Sequence, residues 1–119
     1  QQNKFKKFSM DGKLLEVIEL PGAFVCRPVF HGDQLYVATI WSGAKEENSG
    51  FVSILNKENK LVSAPCGTMP IYENGKLQPM KQTKPIFQHP HDVCVDDDEN
   101  IYVAQWNSGN VYPIKLIRV

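Results

Sequence analysis

HPHDVCVDDDENIYVAQWNSGNVYPIKLIRV, residues 89–119, contains two runs in which apolar residues alternate with others, His91–Val95 and Asn100–Trp106. The acidic turn Asp96-Asp97-Asp98-Glu99 joins them. A third run, Val111–Val119, follows the polar Asn107-Ser108-Gly109-Asn110. Alternation with a period of two puts every second side chain on one face of a strand, and short polar turns between such runs fold them back on one another. The stretch therefore predicts a meander of antiparallel strands.

The same unit occurs earlier in the chain. Laying Leu35-Tyr36-Val37-Ala38 on Ile101-Tyr102-Val103-Ala104 brings the Gly32-Asp33-Gln34 turn onto Asp98-Glu99-Asn100 and places Trp41 within one residue of the position of Trp106. A first strand precedes the match in both copies, Val25–Phe30 and His91–Asp96. A loop and a third strand follow, Gly50–Lys57 in one copy and Val111–Val119 in the other. The earlier copy continues through Lys57-Glu58-Asn59 into a fourth strand, Lys60–Ala64. At the start of the chain Lys4–Ser9 and Lys13–Leu20 flank Met10-Asp11-Gly12, a turn that favours a hairpin, and Pro21-Gly22 ends that unit. Repetition of one supersecondary unit marks an architecture in which neighbouring units bury each other's faces.

The spacing Pro90-x-x-Val93-x-Val95-Asp96, then four residues and Ile101-Tyr102-Val103-Ala104, resembles the blade of an NHL-repeat β-propeller. The resemblance implies an all-β fold: a partial β-propeller of about two to two and a half four-stranded antiparallel blades, with about nine strands. Residues 1–20 would be the outer strands of one blade, 21–64 a full blade, 65–88 an irregular insertion and 89–119 three strands of a last blade. In that frame the chain is similar to the C-terminal part of a six-bladed propeller of the peptidyl-hydroxyglycine amidating lyase type. Its strand edges are then open, which predicts a homo-oligomer, most simply a two-fold dimer. A fourth strand for the last blade would come from Lys13–Leu20 of the same chain or of a partner.

Composition limits the function. The 119 residues carry 13 Lys and Arg against 13 Asp and Glu, a formal charge of zero, so neither a nucleic-acid surface nor a polybasic membrane surface is expected. The sequence has no apolar run as long as a membrane span and no signal-peptide core, so a soluble chain of unspecified compartment is expected. Three cysteines, Cys26, Cys66 and Cys94, fit neither a disulfide scaffold nor a Cys-x-x-Cys metal site. Cys26 and Cys94 lie among apolar strand residues and read as core. Pro65–Gln88 holds four prolines and two glycines and reads as an excursion with one short hairpin around Asn74-Gly75.

Chemistry concentrates at Gln88-His89-Pro90-His91-Asp92. In an extended segment His89 and His91 share a face, and two neutral imidazoles form half of a zinc site, with Asp92 fixing a tautomer. The alternative is a set of side chains that satisfy one another and the turn. The family resemblance adds that histidines at the starts of innermost strands hold zinc in the central channel of amidating-lyase-type propellers, a position His91 matches. One blade earlier the matching residue is Val25, and Arg27 two residues on is the candidate anchor for an anion or carboxylate, or else an inter-blade ion-pair partner. His31 falls beyond the strand and is not expected in that site. Asp96-Asp97-Asp98-Glu99-Asn100 lacks the glycine and terminal glutamate of a calcium loop, whose places hold Ile101 and Asn107, and reads as a turn closed by Asp96. Trp41 and Trp106 read as repeated inter-blade packing.

Two functions follow as expectations, with enzyme activity left open. One is a propeller-type binding module for a peptide, glycan or small molecule. The other is a metal-dependent lyase or hydrolase site built on Arg27 and His91, with zinc at His89 and His91, completed by residues outside the chain.

Overall fold

The computed structural model describes residues 2–43 and 50–119. Among them are eleven strands and no helix. Lys4–Phe8 (β1) and Leu14–Glu19 (β2) form a hairpin; Ala23–His31 (β3), Gln34–Ser42 (β4), Phe51–Leu55 (β5) and Leu61–Ser63 (β6) form a four-stranded antiparallel sheet. Tyr72–Glu73 (β7) and Lys76–Leu77 (β8) make a minimal hairpin. Pro90–Val95 (β9), Ile101–Gln105 (β10) and Ile114–Leu116 (β11) form a three-stranded sheet in the order β11-β10-β9. The loop expected after the second strand of the full blade lies partly outside the described residues, at 44–49.

Sheets of two, four and three strands, in sequential meander order, make the chain a partial β-propeller. Each of the two turns that match in sequence contains one left-handed residue, Gly32 (φ 58°) in the first and Glu99 (φ 63°) in the second, one position apart in the alignment. The pairings Leu35 with Leu55 and Ile101 with Leu116 set the two copies in the same register relative to their third strands.

The middle sheet is buried on both faces, and its alternation shows how. Leu35 and Val37 of β4, with Phe51 and Leu55 of β5, pack under Phe5 and Ile18 of the β1–β2 hairpin. Tyr36, Ala38, Val52 and Ile54, their neighbours in sequence, pack instead against Val93, Ile101 and Val103 of the last sheet. A sheet covered on both sides cannot show a polar face, which is why β5 is buried at every residue. Each blade face thus completes its neighbour's core.

The insertion is tied to the middle sheet rather than loose on it. Met80, 1% exposed, enters the core under the hairpin, and Phe87 enters the inter-blade core. The Gln82 N–H donates to Ser42 Oγ at 2.9 Å, and Gln82 Nε2 donates to the Gly50 carbonyl at 3.2 Å. Gly22 (φ 78°) admits this arrangement, because a Cβ there would lie 2.1 Å from the Met80 carbonyl oxygen.

Three expectations are corrected. Cys94 is exposed, since it stands opposite Tyr102 on the face of the last sheet that points away from the inter-blade core, while Val93 and Val95 turn inward. Trp106 is 53% exposed rather than packed between blades, whereas Trp41 is half-buried with its ring edge-on to Phe24 at 6.3 Å. Lys13–Leu20 does not complete the last sheet within the chain: β2 pairs with β1, and β11 is an edge.

Candidate functional site

The innermost strands, β3 and β9, carry the residues singled out by sequence. β3 is an edge strand, the place in a sheet where a proline such as Pro28 is tolerated. Register shifts between Phe24 and Val25, and again between Val25 and Pro28, leave Cys26 and Arg27 outside the regular pairing with β4. Such irregularities re-aim side chains. Arg27 reaches across to the last sheet, where its Nη2 lies 2.9 Å from Asp92 Oδ2. The other Asp92 oxygen accepts the Val93 N–H at 2.9 Å, which holds the carboxylate at the start of β9. The structure thus brings together Arg27 and Asp92 as an inter-blade ion pair. With side-chain exposures of 70% and 34%, the pair is largely solvated.

His89 and His91 part company. His89 has φ 51° and precedes β9, so it is not in an extended segment and the two-residue periodicity does not reach it. Its carbonyl accepts the Trp106 N–H at 2.9 Å, and its ring lies edge-on to Trp106 at 5.8 Å. The Gln88 N–H donates to Gln105 Oε1 at 2.6 Å, a second tie between this turn and the end of β10. His89 is buried and His91 is exposed. The premise that they share one strand face is therefore corrected. Pro90 follows as a fully buried residue, and a Cβ on Gly50 would sit 2.5 Å from its Cγ and 2.0 Å from the Thr39 carbonyl oxygen. The bare backbone of Gly50 is what lets β9 close on the middle sheet.

His31 ends β3 and packs edge-on to Tyr36 at 6.2 Å. Val25, the positional counterpart of His91, is 6% exposed and belongs to the core beneath the hairpin. No group of three or more His, Cys, Asp or Glu side chains suited to a metal gathers among the described residues. The donor set present, one exposed imidazole beside a carboxylate already engaged by Arg27, does not by itself fit a zinc ion, which takes four ligands.

The acidic turn is a closed hydrogen-bond unit. Asp96 Oδ1 accepts the N–H groups of Asp98 (3.1 Å) and Asn100 (2.8 Å), while Oδ2 accepts from Asn100 Nδ2 and the Tyr102 hydroxyl, each at 3.0 Å. The Asn100 hydrogen bonds, with those from Tyr102 and Asp98, hold the Asp96 carboxyl below its ordinary range. Asn100 Oδ1 in turn accepts the Arg118 N–H at 3.3 Å, and Arg118 pairs with Glu99. Burial pushes the Cys66 thiol up, so it stays protonated and a poor nucleophile.

Sequence reasoning missed the Gln88–Gln105 tie and the Pro90–Gly50 fit. A polar glutamine at the close of an apolar strand was the available signal for the first. The second joins residues forty apart in sequence and leaves no local trace.

The model of the NHL repeat matches residues 87–111, which span the clamped turn, β9, the Asp96 turn and β10. No match to the chain is found among the curated proteins or among the solved structures. No helix among the described residues is long and apolar enough to cross a membrane.

Proposed function

We propose that this chain is part of a propeller-type interaction module whose insertion, residues 65–88, presents the binding surface. The observation that carries the reading is the insertion's two-sided character. Met80 and Phe87 anchor it in the two cores, while Met69 (79% exposed), Ile71 (55%) and Ile86 (45%) stand in solvent. Large apolar side chains displayed from a segment tied to a rigid scaffold are a common form of binding surface. A peptide or protein partner with a complementary apolar face fits this surface better than a glycan, which is recognised chiefly through hydroxyl groups. Panning a displayed peptide library against the immobilised chain should enrich binders that a Met69→Ser/Ile71→Ser variant, with an unchanged thermal melt, no longer retains. Enrichment of the same binders by both proteins would overturn the assignment.

A second reading keeps the amidating-lyase-like site on His91 alone as a metal ligand, with Arg27 as a substrate anchor, and leaves out His89, which is buried against Trp106. It is supported by the exposure of His91 at the start of an innermost strand, beside the Arg27–Asp92 pair. The remaining ligands would lie outside the chain. Stoichiometric zinc after purification without chelator, lost on His91→Ala, would favour this reading over the first. Self-association into a two-fold dimer belongs to the same proposal, supported by the exposed Leu15 and Val17 on the hairpin. A single monomeric species in sedimentation across micromolar concentrations would remove it.

A further inference from the structure

A groove of about 400 Å³ runs between the β1–β2 hairpin and the turns of the middle sheet. That volume falls within the roughly 300–1,000 Å³ of ligand sites. Its floor is apolar. Phe5 and Ile18 face each other across the hairpin, and Pro28 and Leu35 line the opposite wall. Phe30, also in the lining, is 78% exposed, so an aromatic ring stands in water at the rim.

The charge of this groove departs from that of the chain. Lys6, Lys7 and Lys57 line it, against one carboxylate, Asp33, among the described lining residues. Lys57 lies 4.0 Å from Glu58, outside the lining, and Glu16, which stands across the hairpin from Lys7, accepts a hydrogen bond from Asn59 Nδ2 at 2.8 Å. Lys6 and Lys7 form no ion pair among the described residues. Lys7 shares the face of Phe5 and Ile18 and Lys57 stands opposite, while Lys6 adds its charge from the outer edge of the hairpin; with Asp33 in the lining and Glu16 engaged by Asn59, the rim keeps a small local excess of positive charge in a chain of zero formal charge.

We propose that this groove binds a short acidic peptide segment carrying one or two large apolar side chains. The apolar side chains would enter between Phe5, Ile18 and Phe30, and flanking carboxylates would meet Lys6, Lys7 and Lys57. Nucleic acid and anionic membranes draw their affinity from extended basic surfaces, which this chain of zero formal charge does not offer. The groove is separate from the insertion, so this proposal and the preceding one stand or fall apart.

The test is fluorescence anisotropy with a labelled peptide in which glutamates and aspartates flank one leucine and one phenylalanine. Binding should saturate and weaken with added salt, as exposed charge pairs do. The Lys6→Glu/Lys7→Glu variant should lose about tenfold in affinity, from two reversed rim charges, and Phe30→Ser should also weaken binding. All three positions are exposed, so Phe30→Ser should melt as the parent does, and the double Lys variant should melt only slightly lower, from the like charge that Lys7→Glu sets opposite Glu16. A matched peptide with Gln and Asn in place of its acids should bind about tenfold more weakly. Failure to saturate, equal binding of the neutral peptide, or affinity unchanged in both variants would overturn the proposal. Retention on phosphatidylserine vesicles without peptide binding would overturn it too, in favour of a lipid surface.

Discussion

Replacing Phe51 by Ala tests whether the middle sheet is the keystone of the stack. Phe51 is 0% exposed in the core beneath the hairpin, so the substitution forfeits the full transfer free energy of the ring. The space left cannot easily collapse. The Gly67 backbone is packed so closely on the ring that a Cβ there would lie 2.8 Å from Phe51 Cδ2. Gly67 is itself held by its bridge to Gln82, and the adjoining Cys66 carbonyl accepts the Thr83 N–H at 2.8 Å. A cavity that persists keeps the cost well inside the range for aromatic deletions, about 4 kcal/mol. That is roughly a thousandfold in the folded-to-unfolded ratio, and a large share of the roughly 5–15 kcal/mol that holds a domain together. Urea unfolding should show the midpoint falling while the slope is unchanged, because the surface exposed on unfolding is nearly the same. Phe30→Ala, at a ring 78% exposed, is the control and should move stability by no more than about 0.5 kcal/mol. A Phe51→Ala cost below about 1.5 kcal/mol would mean that the insertion moves in to fill the space and that the sheet is not the rigid centre described above.

Gly22→Ala should lower the melting temperature markedly, because it combines a left-handed backbone with a Cβ 2.1 Å from the Met80 carbonyl; an unchanged melt would show that the insertion is free to shift. Asp96 should make stability pH-dependent. Its folded pKa is depressed, so its contribution is complete above the unfolded value of about 3.9 and is lost as pH falls through the lower folded value. Acid melts of the parent and of Asp96→Asn should therefore converge at low pH, and parallel curves would contradict the assignment. For Arg27 and Asp92, a double-mutant cycle should give a coupling of about 0.2–1 kcal/mol, as for exposed pairs; a larger value would mean that the inner strands are shielded from solvent in the state measured.

The strand plan was written locally. Side-chain alternation in Leu35–Ala38 and Ile101–Ala104, with polar turns on either side, specifies strands and their faces wherever they are placed, and the repeated unit specifies that sheets stack. Asp96 likewise acts on groups within six residues of itself, so its role in the turn was readable from residue type and spacing. The tertiary structure decided the rest, because burial depends on what covers a face. Cys94 and Val93 are both apolar strand residues, yet only Val93 meets a neighbouring sheet. His89 and His91 were separated by a backbone turn that the ties to Gln105 and Trp106 impose, against the extended conformation expected of a residue before proline. Arg27 and Asp92, sixty-five positions apart, met because an irregularity in β3 and the docking of β9 coincide in space. Period and turn chemistry are properties of neighbouring residues; an ion pair between blades is a property of two sheets, and exists only once both are in place.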